Sequence, residues 1–253
     1  MKKILSLIAI VVLASQITFA GMADKILDKA LTQMGGKEKL AGITSSVVTF
    51  KSVSTMSPDT SESSVWYKDN SFALDGTLMG KELGLIWNGK EGWMKGEILQ
   101  APNWAPLSQM MMQQMSQFIF QKEILYCLVR GVDETDTLSF AGMEEMNGVK
   151  MKTVKIKGAV KPQTPSTEML VKVGIKDNLI HQYILTYDLS AYGQPNQVVT
   201  IDCGDYKEIS GVMIPHNVVI DQGGQKAELM YQSVKINTEV SDSKFANPMP
   251  KTK

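Results

Sequence analysis

The chain has 253 residues, 43% of them hydrophobic, and its 26 lysines and arginines are balanced by 26 aspartates and glutamates. With no basic tract and no long run of one charge, nucleic acid is excluded as a partner, and recognition is left to apolar surface. The length remaining after a leader fits one large β-rich domain, since sandwiches and barrels reach this size as single units.

Met1-Lys2-Lys3 precedes an apolar run from Ile4 to Phe19, broken only by Ser6, Ser15, Gln16 and Thr18, and then Ala20-Gly21. A basic start, a short apolar core and small residues read as a secretory signal peptide over 1–20, cut after Ala20 or alternatively after Ala23. A retained anchor is the rival reading, but the run falls short of the roughly 20 residues that span a bilayer. No cysteine lies near the cut to accept a lipid. Residues 21–253 are therefore expected as one soluble, exported domain that is not an integral membrane protein.

The first mature element is a predicted helix over 23–34, with Ile26, Leu27, Ala30, Leu31 and Met34 on one side and Gly35-Gly36 beyond its end. A short turn over 37–41 follows. Strands are predicted at 47–53 and 63–68 around a polar turn at 57–61, then at 72–79 and 83–87. The Asn88-Gly89 pair between Trp87 and Trp93 marks a hairpin.

Residues 101–106 read as a proline-bounded loop that places Pro106 at the head of a helix. The stretch 106–130 interrupts the strands and carries no charge before Lys122. In helical spacing Leu107, Met110, Met111, Met115 and Phe118 form one apolar stripe, continued by Leu125, Leu128 and Val129. Methionine is unbranched and polarizable, so such a face adapts to several apolar shapes. Two readings stand: an adaptable cover for a lipid-binding cavity, or plain core with methionine as gap filler.

Strands resume at 137–143 and, after Asn147-Gly148, at 149–157. The apolar parity changes between Val149 and Met151 on one side and Val154 and Ile156 on the other, which predicts a bulge near Thr153. Strands at 169–175 and 179–189 form a hairpin, and 198–206, 212–220 and 227–240 complete the series. Residues 241–253 are a polar tail anchored by Phe245. Short connections imply antiparallel neighbours. The expected fold is mainly β with helices, an unclosed antiparallel barrel or strongly curved sheet whose concave face the helices cover.

Catalytic chemistry has little to stand on. No nucleophile elbow, phosphate loop or dinucleotide glycine pattern occurs. The carboxylates Glu144-Glu145 and Asp133, Glu134 and Asp136 sit in solvated turns, where nothing desolvates them. His181 and His216 read as inward side chains with hydrogen-bond partners. With Cys127 and Cys203 they lack zinc-ligand spacing, and those two cysteines are either a disulfide or two buried thiols. No enzyme activity, cofactor or metal is expected. Trp66, Trp87, Trp93 and Trp104 read either as structural packing or, for some of them, as the mouth of an apolar cavity.

Gly35-Gly36-Lys37-Glu38-Lys39-Leu40 with Ile43 opening the first strand, Trp87-Asn88-Gly89-Lys90-Glu91-Gly92-Trp93, and Gly211-Val212-Met213-Ile214-Pro215 occur here in one order behind a leader. In this the chain resembles the outer-membrane lipoprotein-sorting superfamily, with its LolA-type carriers and RseB-type sensor domains. The resemblance implies a periplasmic lipid- or lipoprotein-binding carrier or chaperone, whose partners are a lipid or lipidated protein and membrane-associated donor and acceptor proteins. The alternative is a periplasmic sensor that uses the same cavity to regulate a protein partner. The candidate ligand-binding residues are Met110, Met111, Met115, Phe118, Trp87, Trp93 and Trp104. The chain is longer than a typical carrier, and no position matches the carrier's functional basic residue.

Overall fold

The computed structural model describes residues 21–55, 57–78, 80–107, 137–157, 166–187 and 196–249. The leader over 1–20 and the methionine-rich residues 108–130 lie outside them. Helix α1 covers 21–33 and α2 covers Lys37–Ala41. Thirteen strands follow: β1 (Ser45–Ser54), β2 (Ser57–Lys68), β3 (Ser71–Leu78), β4 (Lys81–Trp87), β5 (Gly92–Gly96), β6 (Ala101–Pro106), β7 (Thr137–Met146), β8 (Val149–Lys157), β9 (Ser166–Gly174), β10 (Ile180–Tyr187), β11 (Gln197–Ile209), β12 (Val212–Gln222) and β13 (Gln225–Ile236).

Their order is β6-β5-β4-β3-β2-β1-β13-β12-β11-β10-β9-β8-β7, one antiparallel sheet that is not closed. The expected fold class is thus observed. The order also adds something that a simple meander lacks: the first and last strands pair, so the free edges are β6 and β7, in the middle of the chain. By contacts the chain divides into two compact units, Met1–Met34 with Gly131–Thr200, and Gly35–Arg130 with Ile201–Lys253.

In the first unit, the helix side predicted from periodicity is buried, with Ala23, Ile26, Leu27, Ala30, Leu31 and Met34 all at or below 6% exposure. The β7–β8 turn has Asn147 at φ 50° and Gly148 at φ 76°, the left-handed pair that a tight hairpin requires. The predicted bulge lies on the other strand. β8 pairs with β9 without a register shift, while β7 carries an extra residue between Phe140 and Gly142, opposite Val154 and Thr153. Parity along β8 changes because both of its faces are covered: Met151, Thr153, Val154 and Ile156 are all buried.

In the second unit two expected loops are strands. Residues 57–61 belong to β2, where a composition rich in Ser and Pro is tolerated because the pairing with β3 begins only at Ser63. Residues 101–106 are β6. It lies at the sheet edge, where Pro102 and Pro106 need not donate to a further strand. The last strand ends at Ile236, not at 240.

The glycines of two sequence motifs meet in this unit. Gly35 has φ 122°, and a Cβ there would stand 2.6 Å from the Gly211 carbonyl oxygen and 3.1 Å from the Val212 Cα. Backbone cannot yield as a flexible side chain does, so only glycine lets the entry to α2 lie against the β11–β12 turn. Gly36, at φ 90°, has nothing within 4 Å of its missing Cβ. Gly35→Ala should therefore lower stability by about 1–3 kcal/mol, and Gly36→Ala by less, read from urea midpoints at constant slope.

Candidate functional site

Pairing register sorts the side chains of the second unit onto two faces. Val47, Trp66, Ala73, Ile86 and Trp93 are successive partners across β1 to β5. Beyond the sheet the chain turns back: Val240 and Phe245 are buried in one cluster with Ala73, Ile86 and Trp93, against which Val47, Trp66 and Trp104 pack. Trp104 lies on the strand at Gly84, where a Cβ would stand 2.8 Å from its ring. Lys244 sits 3.8 Å over the Trp66 ring and pairs with Asp75 at 3.4 Å. The tail thus seals this face through Phe245, the anchor expected from sequence, and through a cation over an aromatic ring.

The opposite face is different. Val234, Val48, Val65, Leu74, Leu85 and Met94 are successive partners across β13, β1, β2, β3, β4 and β5, an apolar row six strands wide. Val65 is buried and the other five are half-buried. Beside it, Tyr67, Phe72 and Trp87 form a second row, and Trp87 packs on the buried pair Phe72 and Leu107. On the other side Phe50 faces Tyr231, with ring centroids 6.1 Å apart, and Tyr231 meets His216. Ser46, Ser61 and Ser63 share this face and are buried, so small side chains leave depth between the aromatic and aliphatic rows.

Of the sequence-selected tryptophans, Trp87 belongs to this face. Trp93, at 3% exposure, and Trp104 belong to the face sealed by the tail. Odd and even positions of a strand point to opposite faces, and the Trp87–Trp93 loop puts the two rings on opposite sides of the sheet. Met110, Met111, Met115 and Phe118 lie outside the described residues. The six-strand row is not legible in the sequence because its members come from six separate strands, and only the register aligns them.

The first unit contains a second apolar concavity. Met22, Ile26, Phe140 and Met143 line an open groove of about 360 Å³ between α1 and the β7–β8 hairpin. Met143 is 70% exposed, the most exposed large hydrophobic side chain among the described residues. Lys25, Lys29 and Lys152 border the groove.

Other candidates for chemistry resolve into structure. His216 is buried, with its Nδ1–H donating to the Ile214 carbonyl at 3.0 Å, and His181 Nε2 lies 2.9 Å from Asp177 Oδ2. Cys203 is a buried free thiol, pushed up to about 12 by burial; Cys127 lies outside the described residues. Among the described residues, no three His, Cys, Asp or Glu side chains are grouped to hold a metal, and no helix is long and apolar enough to cross a membrane.

Glu144 accepts a hydrogen bond from Thr153 Oγ1 at 2.7 Å and pairs with Lys172 at 3.0 Å. The hydrogen bond, aided by the lysine, holds its carboxyl below the usual carboxylate range in spite of some desolvation. A carboxyl lowered on folding stabilises the protein above its unfolded pKa of about 4.3, and that contribution is lost as pH falls through the folded value.

No family model matches the chain, and no curated protein matches its sequence. Solved structures do match in fold. An outer membrane lipoprotein-sorting protein domain from Vibrio parahaemolyticus, described as putative in name, aligns at TM-score 0.55 and 13% identity over 88% of this chain and 97% of that one. A DUF1329 family protein from Desulfovibrio piger aligns at TM-score 0.56 and 10% identity over 88% and 97%. A LolA superfamily protein from Nitrosomonas europaea aligns at TM-score 0.52 and 13% identity over 89% and 97%.

Two outcomes test the site as described. Trp93→Ala should cost about 3–5 kcal/mol, as for other buried aromatic truncations, by chemical denaturation. Glu144→Gln should flatten the fall in melting temperature below about pH 4.3 while altering the neutral value less than Trp93→Ala does. At identities of 10–13% the likeness is one of fold: the chain has the fold of the outer-membrane lipoprotein-sorting, or LolA, superfamily.

Proposed function

We propose that this protein is an exported, periplasmic carrier that shields the acyl chains of a lipid or lipidated protein, without covalent chemistry. The observation that carries the reading is the apolar face of the second unit. Six apolar partners stand in register from Val234 to Met94, flanked by Tyr67, Phe72 and Trp87 on one side and by Phe50 and Tyr231 on the other. Such a face offers continuous apolar contact and few hydrogen-bonding groups, which matches a hydrocarbon chain better than a peptide or a sugar.

The leader-like start, the fold and the balanced charge support the same reading. Burial supplies the driving force: each methylene taken from water contributes about 0.8 kcal/mol, so one chain on a preformed face has useful affinity. Membrane-associated donor and acceptor proteins would complete the cycle. Of the sequence-selected residues, Trp87 is assigned to binding, while Trp93 and Trp104 are assigned to holding the tail. The reading stands on the described face without Met110, Met111, Met115 or Phe118.

The test is gentle purification of the exported protein followed by mass spectrometry of extracted lipid. Wild type should carry acyl lipid. Leu85→Ser with Trp87→Ala should reduce the bound fraction severalfold, whereas Trp66→Ala, on the other face, should leave lipid retention largely intact. Equal lipid content in all three proteins would remove this face as the binding surface. Transfer of the bound lipid to acceptor membranes marks a carrier; lipid that stays bound while altering affinity for a protein partner marks a sensor.

A further inference from the structure

The groove of the first unit differs from the apolar face just described in one respect: it has a cationic rim. Met22, Lys25, Ile26 and Lys29 are spaced so that they fall on one side of α1, next to the buried stripe. Opposite them stand Phe140 and Met143 of β7 and Lys152 of β8. All seven residues lie within the first unit.

Lys152 is the unusual member. It pairs in register with Met143 on one side and Val173 on the other, and it shares its face of β8 with Val154 and Ile156, both at or below 2% exposure. A lysine in that row places an ammonium at the end of an apolar floor. Two other lysines of the unit are neutralised, Lys172 by Glu144 and Lys155 by Glu168. Among the described residues, Lys25, Lys29 and Lys152 have neither an ion pair nor a side-chain hydrogen bond. With 26 cationic and 26 acidic residues overall, the rim is a local concentration of charge and not a sample of a basic protein.

We propose that this groove binds a single-chain anionic amphiphile, with the hydrocarbon on Met22, Ile26, Phe140 and Met143 and the acid headgroup held by Lys25, Lys29 and Lys152. The proposal deepens the carrier reading and rests on it. Three cations that line one apolar groove match an acid headgroup and its chain together, because charge-assisted hydrogen bonds hold the anion while burial holds the tail. A volume of about 360 Å³ is near the lower end for ligand cavities, which suits one chain and not two. Basic clusters that bind an anionic membrane surface commonly hold about 4–8 lysines or arginines; three around a recess favour a monomer.

The test measures laurate and dodecanol, equal in chain length and different in charge, against the full purified protein by displacement of a fluorescent acyl probe. Wild type should bind laurate more tightly than dodecanol, with the preference shrinking at high salt. Lys25 and Lys29 are exposed and Lys152 is half-buried without an ion pair among the described residues, so K25Q/K29Q/K152Q should keep its fold, checked by circular dichroism. It should weaken laurate about tenfold and dodecanol less than twofold. Met143→Gln should weaken both probes. If the triple variant binds laurate as tightly as wild type, the rim proposal falls while the carrier reading stands; if wild type binds neither probe, both fall. Sedimentation of wild type with phosphatidylglycerol vesicles, without binding of monomeric laurate, would overturn the proposal in favour of a membrane surface.

Discussion

The pairing of β1 with β13 is the constraint on which the sheet depends. It joins Ser46 to Ile236 at one end and Ser54 to Ala227 at the other, so strands almost the full chain apart lie side by side. Both ends are pinned. At one, Thr44 N–H donates to Asn237 Oδ1, Asn237 N–H to the Ser45 carbonyl and Ser45 Oγ–H to the Thr238 carbonyl. At the other, Thr55 N–H donates to the Lys226 carbonyl and Lys226 N–H to Thr55 Oγ1. One extra residue, Gln232, is absorbed where Thr49 faces Ser233 and Phe50 faces Tyr231. Without this pairing the chain would be two separate meanders, β1 to β6 and β7 to β13. With it, the sheet opens in the middle of the sequence, and residues 107–137 connect its two free edges.

The same pairing makes the apolar face. A one-residue slip between β1 and β13 would turn Val234 toward the tail-covered side and break the row that runs from Val234 to Met94. The tail can seal only one face, and it chooses the one where Gly84 leaves room for Trp104 and where Trp66 offers a ring to Lys244. The other face keeps its half-buried valines, leucines and aromatics. An apolar surface of that breadth is the feature on which the proposed carrier function rests. In the first unit the groove is bordered by Lys25, Lys29 and Lys152, none of which has an ion pair among the described residues, so the apolar surfaces of the two units differ in charge.

Much of the fold was legible because periodicity and turn chemistry are local. The helix stripe from Ala23 to Met34, the Asn88-Gly89 and Asn147-Gly148 hairpins and the Phe245 anchor needed only neighbouring residues. Local composition misleads where it conflicts with sheet position. Ser57 to Ser61 and Ala101 to Pro106 look like loops, and both are strand because they lie where a proline breaks no ladder. The bulge expected in β8 proved to be in β7: a parity change shows that a kink or a second covered face is needed, and does not say which.

The site was less legible. Trp87 and Trp93 flank one loop and invite a shared role, yet strand alternation sends them to opposite faces. Composition, helical and strand periods and glycine-bearing turns determined the class of this protein: a mainly β chain with an amphipathic helix near its start and no motif for catalysis. Only the tertiary structure decided which apolar side chains form one surface. Register between strands nearly two hundred residues apart is set by long-range hydrogen bonds and burial, which no window of sequence contains. The same holds for Lys152, an ordinary charge in an alternating strand until α1 brings Lys25 and Lys29 to the same groove.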